Sequence, residues 1–239
     1  MWQYLALLIA VIIGILILVI IWHIRNLVTD KDVYSVVPIQ KCLYSKEFNK
    51  LKSGDILYMR SSITNFQEIA IPYVYKHIAI IVEFNNILYC AEATSKTILG
   101  KSGNTLISRK SGVAAYPLRD KLKNSLGPVF ISKLNKPLTM EINEKLQDTT
   151  IQHLGEEYPS ILYLYFIFTL GLPLKTKMYC HTFVYECLYS MGLISSKMKN
   201  RKKIGKFITA IYEHDLNNGY KYEFPKQLIY DYEENEEGF

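Results

Sequence analysis

The first 24 residues form the most apolar segment of the chain. They contain no Asp, Glu, Lys or Arg, and Leu5–Ile24 consists of Leu, Ile, Val and Ala interrupted only by Gly14, Trp22 and His23. A helix of this length spans roughly 30 Å, which is the thickness of the hydrocarbon core of a bilayer. The run is too long for the apolar region of a signal peptide, and no basic segment precedes it. The pattern therefore predicts an uncleaved transmembrane anchor over residues 1–24 and a single-pass membrane protein.

The remaining chain divides by its pattern into a linker, a compact domain and a tail. Residues 25–48 lack a clear period and are interpreted as a linker, whereas residues 49–230 are interpreted as one folded domain. Short alternating segments come first and helical segments follow, and no helical segment separates the early strands. This order predicts an α+β domain with an antiparallel sheet. Residues 231–239 form an acidic tail.

Two strand-like segments, residues 77–83 and 88–93, flank the pair Asn85-Asn86. Asparagine tolerates positive φ angles, so this pair predicts a two-residue hairpin turn. Such a turn makes His77 and Glu92 diagonal neighbours on one face, close enough for an imidazole to reach a carboxylate. A one-residue change in the loop would move Glu92 to the other face. The alternative is a strand whose histidine has no chemical role.

The segment that begins at Cys180 has apolar residues at the spacing of one helix face. Gly192 marks the expected end of this helix. Cys180 is therefore expected in the first turn of a helix, facing inward, where the N–H groups and the positive potential of a helix start stabilise a thiolate. Cys187 lies two turns further on and is interpreted as a core residue. The alternative for Cys180 is likewise a small buried side chain without reactivity.

Six short motifs, taken in order, resemble the NlpC/P60 papain-like superfamily. They span Leu51 to Gly192 and comprise LKSGDIL (51–57), KHIAII (76–81), YCAEA (89–93), SGV with PL (111–113, 117–118), LGEEYP (154–159) and YCHTFV (179–184). Because the histidine precedes the cysteine, the resemblance is to the circularly permuted branch. That branch includes YiiX-like amidases, lecithin:retinol acyltransferase-like enzymes and a poxvirus family. Pro159, His181 and Thr182 depart from the residues that are usual in these motifs.

The resemblance implies a permuted papain-like domain and a Cys–His–Glu triad. Cys180 would be the nucleophile, His77 the base and Glu92 the residue that orients the imidazole. No metal or organic cofactor is implied. The expected function is a membrane-anchored cysteine hydrolase or acyltransferase that acts on a peptide or isopeptide amide, or on a lipid ester. The poxvirus-type branch and the richness in Ile, Lys, Asn and Tyr favour a large DNA virus as the source, with the protein in a virion membrane or a host intracellular membrane.

The charge distribution adds a second hypothesis for the function, and charge and cysteine content argue against nucleic-acid binding and a zinc site. The net charge of +6 includes six positive residues in Lys197–Lys206 and five negative residues in the 231–239 tail. With the anchor, these segments favour a non-catalytic structural membrane protein that contacts other virion proteins. Nucleic-acid binding is not expected, because no aromatic-interleaved basic motif accompanies the patch. The four cysteines form no CxxC pair, which argues against a zinc site.

Overall fold

The computed structural model describes the greater part of the predicted domain. The described residues are 40–59, 77–94, 112–125, 127–158, 178–195 and 216–231, together with Tyr4, Val11, Gly14 and Ile211. Nearly all of the predicted anchor, the basic segment Lys197–Lys206 and residues 232–239 lie outside this set. Among the described residues, no helix has both the length and the apolar character that crossing a bilayer requires.

One sheet organises the described part of the chain. Its seven strands are β1 (Lys41–Leu43), β2 (Ile56–Met59), β3 (His77–Phe84), β4 (Ile87–Thr94), β5 (Gly112–Pro117), β6 (Val129–Ser132) and β7 (Lys226–Ile229). The strand order is β1-β7-β6-β2-β3-β4-β5. All neighbours are antiparallel except β1 and β7, which run parallel. The fold is therefore α+β as expected, but the sheet is mixed and not purely antiparallel.

The edge of the sheet contains residues that the sequence pattern assigned to the linker. β1 pairs with β7 near the other end of the chain. Tyr44 is buried, and its ring centroid lies 5.6 Å from that of Tyr230. Ser45 donates hydrogen bonds from its N–H and its hydroxyl to the carboxylate of Asp231. The linker therefore ends before residue 41, and Asp231 belongs to the domain and not to a free tail.

Helices cover both faces of the sheet. The helices whose bounds fall within the described ranges are α1 (Tyr44–Glu47), α2 (Leu118–Lys123), α3 (Met140–His153) and α4 (Cys180–Ser190), with 3₁₀ turns at Phe48–Lys50 and Asn217–Gly219. Ile78, Ile80 and Val82 pack with α4 in one buried cluster, whereas Ala79 and Ile81 pack with α2 in the other. β3 is thus buried on both faces, which explains why its sequence is continuously apolar instead of alternating.

The Gly54-Asp55 pair of the first motif fixes the start of β2. Buried Asp55 accepts hydrogen bonds from the N–H groups of Lys52 and Leu134, at 3.0 and 2.9 Å. The hydroxyl of Tyr222 donates to the carbonyl of Gly54 at 2.7 Å. Two backbone N–H donors thus satisfy the buried Asp55 side chain and tie the start of β2 to the segment that follows β6.

Candidate active site

The hairpin of β3 and β4 brings an imidazole onto a buried carboxylate. Asn85-Asn86 adopt φ angles of 50° and 62°, and Phe84 pairs with Ile87, so the predicted turn and register are confirmed. Nε2 of His77 lies 2.7 Å from Oε2 of Glu92. The Glu92 side chain is fully buried, and that of His77 is 23% exposed. The hairpin therefore holds the imidazole in one orientation while leaving part of it accessible.

Cys180 is the first residue of α4, as its spacing predicted. Cys180 is buried together with Val184, Cys187 and Leu188 on the inward-facing side of the helix. At the other end, the N–H of Gly192 (φ 70°) bonds the carbonyl of Tyr189, and the N–H of Leu193 bonds that of Leu188. This pattern is a Schellman cap, which confirms Gly192 as the stop.

Thr182 caps the start of the same helix. Its hydroxyl accepts the N–H of Tyr179 at 3.0 Å and donates to the Tyr179 carbonyl at 2.8 Å. The resembled motif usually carries an acidic side chain at this position, and a glutamate there would accept the same N–H. Threonine supplies this cap without adding a negative charge beside Cys180. The positive potential of the helix start is therefore retained at the thiol.

The imidazole of His77 lies near Cys180, so that the thiol contributes to the pKa of the ring. Because Nε2 contacts Glu92, Nδ1 is the ring nitrogen left for the thiol. Burial opposes protonation of the imidazole, but the Glu92 carboxylate, the hydrogen bond with Glu92 and the nearby Cys180 outweigh it, raising the pKa of His77 to about 9. The structure thus brings the three residues singled out from the sequence into one cluster.

Lys121 is a fourth charged member of this cluster and was not predicted. Its Nζ lies 2.5 Å from Oε1 of Glu92, and its side chain is 14% exposed. The ammonium also lies 5.4 Å from the ring centroid of Tyr116. Burial disfavours the charged form of Glu92, but Lys121 and His77 outweigh it and hold the pKa of Glu92 well below its usual value. Glu92 is therefore a carboxylate shared between two cations.

The LGEEYP and SGV motifs meet beside the cysteine. The N–H of Val113 bonds the carbonyl of Glu156, and the N–H of Gly155 bonds the carbonyl of Val113, both at 2.9 Å. Gly112 has φ of 147°, and a Cβ there would lie 2.1 Å from the Glu156 carbonyl oxygen, so glycine permits this contact. The docked segment leads directly to Tyr158. Burial raises the pKa of Tyr158, and the nearby Cys180 raises it further.

His181 follows the cysteine but does not compete with His77 as a base. It is buried, and its ring centroid lies 3.9 Å from that of Tyr179 in an edge-to-face arrangement. Burial lowers the pKa of His181 to about 3, so the imidazole is neutral at physiological pH. Adjacent helical residues point in different directions, which agrees with the separate surroundings of His181 and Cys180.

The thiols of the other three cysteines are less acidic than an ordinary thiol. Burial raises the pKa of Cys90 and of Cys187 far above that of an ordinary thiol. Burial, followed by the charge of Glu47, also raises the pKa of Cys42. In the described part of the chain, no group of three His, Cys, Asp or Glu side chains is arranged to hold a metal ion.

The family model for the permuted papain-like amidase enzymes of the YaeF/YiiX type, family C92, matches residues 50–226. The chain belongs to this family. The matched region contains the hairpin, α2 and α4, so His77, Glu92, Lys121 and Cys180 all lie within the amidase domain. The predicted papain-like resemblance is confirmed at this level, whereas the viral source stays a prediction.

Among solved structures, the chain is similar to the crystal structure of the metalloprotein yiiX from Escherichia coli O157:H7. The two share 15% sequence identity with a TM-score of 0.44, over 73% of this chain and 97% of that one. No functionally curated protein shows significant similarity to the chain.

Proposed function

We propose that this permuted papain-like amidase is a membrane-anchored cysteine hydrolase or acyltransferase with the triad Cys180, His77 and Glu92. The observation that carries the proposal is the arrangement of these groups around the imidazole of His77. The thiol stands at a helix start near the imidazole of His77, and a buried carboxylate lies 2.7 Å from Nε2 of that ring. A nucleophile, a base and an orienting group in this order are the parts that acyl transfer needs.

The first half of the proposed reaction forms a thioester. In the proposed reactive state the thiol proton of Cys180 already resides on His77, and the thiolate sulfur attacks the carbonyl carbon of the substrate. The N–H of Cys180 lies in the first helical turn, where N–H groups lack intrahelical partners, and it would donate to the oxyanion. His77 then gives its proton to the nitrogen of the departing amine or to the oxygen of the departing alcohol. The acyl group remains on sulfur, and the leaving group departs neutral.

The second half releases the acyl group. His77 accepts a proton from water, or from an acceptor alcohol or amine, and the activated oxygen or nitrogen attacks the thioester. The carbon–sulfur bond breaks, and the thiolate of Cys180 and the protonated His77 are restored. Glu92 holds the imidazole and stabilises its charged form throughout. With water as the acceptor the protein is a hydrolase, and with another acceptor it is an acyltransferase.

Acyl trapping on the full-length protein in a mild detergent tests this proposal. The protein is incubated with p-nitrophenyl acyl esters and acyl p-nitroanilides, quenched in acid and analysed by intact-mass and peptide mass spectrometry. We expect a hydroxylamine-labile acyl adduct on Cys180 that is absent in Cys180→Ala and strongly reduced in His77→Asn. Cys42→Ala is the matched control and should be acylated like the unmodified chain.

The outcomes separate the possible substrate classes. Adduct formation from the anilide supports a peptide or isopeptide amide, and formation from esters alone supports a lipid ester. If no acyl donor labels Cys180 in the folded protein, the triad has no acyl-transfer role, and the structural virion-protein hypothesis becomes the better account.

Membrane anchoring by residues 1–24 is part of the proposal and rests on their charge-free apolar sequence. We expect the expressed protein to stay in the membrane pellet after alkaline carbonate extraction. A chain that begins at Gln40 should appear in the supernatant. Release of the full-length protein by carbonate would contradict the anchor and leave the proposed chemistry untouched.

A further inference from the structure

We infer that Lys121 is a positioning residue that makes the thiolate form of Cys180 possible by neutralising Glu92. This inference rests on the proposed function, because it concerns the charge state of the proposed nucleophile. Lys121 lies on α2, which packs on the sheet face that carries Glu92, and its Nζ is 2.5 Å from the oxygen that His77 does not use. Each carboxylate oxygen thus has its own cation.

Buried neighbours in the chain and an aromatic ring hold Lys121 in this position. Leu118 and Leu122 of the same short helix are buried in the core cluster that also contains Cys90. The ring of Tyr116 lies beside the ammonium, so a cation–π contact adds to the ion pair. A lysine whose neighbours are fixed in this way loses little further freedom when it binds the carboxylate.

A charge count of the buried cluster shows what Lys121 supplies. In the reactive state Cys180 is an anion, His77 a cation and Glu92 an anion, so these three groups carry one net negative charge. Lys121 brings the total to zero, and an uncompensated charge is costly to bury. Without Lys121, Cys180 and Glu92 would compete for the single imidazolium. A carboxyl group is the stronger acid, so the proton would remain on sulfur.

Among the residues that the structure describes, no other neighbour supplies this compensation between pH 5 and 8. The groups that face the ion pair are Cys90 on β4 and Tyr116 on β5, and burial raises the pKa of both, that of Tyr116 to about 12. Tyr158 and Tyr179 face Cys180, and burial raises the pKa of both. All four are therefore neutral in this range. Asp120 and Lys123, on the same helix as Lys121, are exposed.

The test is the rate at which iodoacetamide alkylates Cys180 in the full-length protein as a function of pH. We expect Lys121→Met to slow the reaction at pH 6 by about tenfold or more and to move its pH midpoint upward by about one unit, since one unit is a tenfold change in thiolate. Lys121→Arg should stay within about threefold of the unmodified protein, because guanidinium keeps the charge. Lys123→Met on the same helix is the matched control and should have no effect.

A double variant keeps the inference falsifiable if Lys121→Met is poorly folded. Glu92→Gln/Lys121→Met removes the competing anion together with the lysine, so Cys180 should react at lower pH than in Lys121→Met alone. If Lys121 only stabilises the fold, its replacement should lower the unfolding temperature but leave the pH profile of Cys180 alkylation unchanged in both variants. If unmodified Cys180 reacts at low pH and Lys121→Met has the same profile, this inference is wrong and the proposed function stands. If unmodified Cys180 reacts like an ordinary thiol, both are wrong.

Discussion

Lys121 Nζ lies 2.5 Å from Oε1 of Glu92, a carboxylate that is completely shielded from solvent. A buried pair of this kind contributes little net stability compared with apolar side chains, but it is costly to break from one side. Removing one partner leaves the other charge without compensation. The pair therefore makes the stability of the domain dependent on the same residues that orient the imidazole.

Glu92→Gln should lower the free energy of unfolding by about 3–5 kcal/mol, because it leaves the ammonium of Lys121 buried without a carboxylate. Adding Lys121→Met to this variant should recover part of the loss. Urea unfolding of the four proteins in this double-mutant cycle measures the coupling between the two residues. The exposed pair Glu141 and Lys145 on α3 is the matched control, and its cycle should show little coupling. Additive losses at Glu92 and Lys121 would contradict the ion pair.

The hairpin and the start of the cysteine helix were predictable because both depend on local patterns. Asn85-Asn86 determined the turn, and the turn determined which residue of β4 faces His77. The apolar spacing after Cys180 determined both its helical position and its inward direction. Each of these inferences needed fewer than twenty consecutive residues.

Lys121 and β1 were missed because no local pattern marks them. Lys121 lies on a six-residue helix, which is too short to show a period, and its partner Glu92 lies 29 residues earlier. β1 has only three residues, and its partner strand is near the other end of the chain. In both cases the partner is chosen by the tertiary fold, which a single sequence does not reveal.

The stability of the domain should depend on pH through His77. The pKa of this imidazole is raised from 6.5 to about 9 in the folded protein. Its contribution is therefore complete below pH 6.5 and is lost as the pH rises towards 9. We expect the free energy of unfolding to fall between pH 6.5 and 8.5 by roughly 2 kcal/mol. Urea titrations of His77→Asn should show a flatter dependence, and equal slopes for the two proteins would refute the raised pKa.

Gly112→Ala should weaken the contact between the LGEEYP segment and β5. The new Cβ would lie 2.1 Å from the carbonyl oxygen of Glu156, and the φ of 147° is also unfavourable for alanine. We expect a loss of roughly 3 kcal/mol in the free energy of unfolding, together with slower alkylation of Cys180. Gly155→Ala is the matched control, because it has positive φ but no atom within 4 Å of the added Cβ. Gly155→Ala should lower the free energy of unfolding by about 1 kcal/mol. Similar losses in the two variants would show that the close approach is unimportant.

The boundary of the folded domain can be tested by truncation. A chain that begins at Gln40 keeps β1, whereas a chain that begins at Asn49 loses β1, buried Tyr44 and the Ser45–Asp231 hydrogen bonds. We expect the shorter chain to unfold at a lower temperature and to expose the edge of β7, which promotes association. Thermal unfolding and light scattering of the two proteins distinguish these cases. Identical behaviour of the two proteins would indicate that residues 41–48 belong to the linker and not to the folded domain.

The pH dependence of alkylation at all four cysteines tests the central claim most directly. Iodoacetamide reacts with thiolates, and mass spectrometry assigns each adduct to its residue in the folded full-length protein. If His77 and the start of α4 stabilise the thiolate of Cys180, this residue should react readily near pH 6 while Cys42, Cys90 and Cys187 remain slow. His77→Ala should move the Cys180 profile to higher pH. A Cys180 that reacts only near pH 8.5, as ordinary thiols do, and that is unaffected by His77→Ala would contradict the assignment of this site as a catalytic triad.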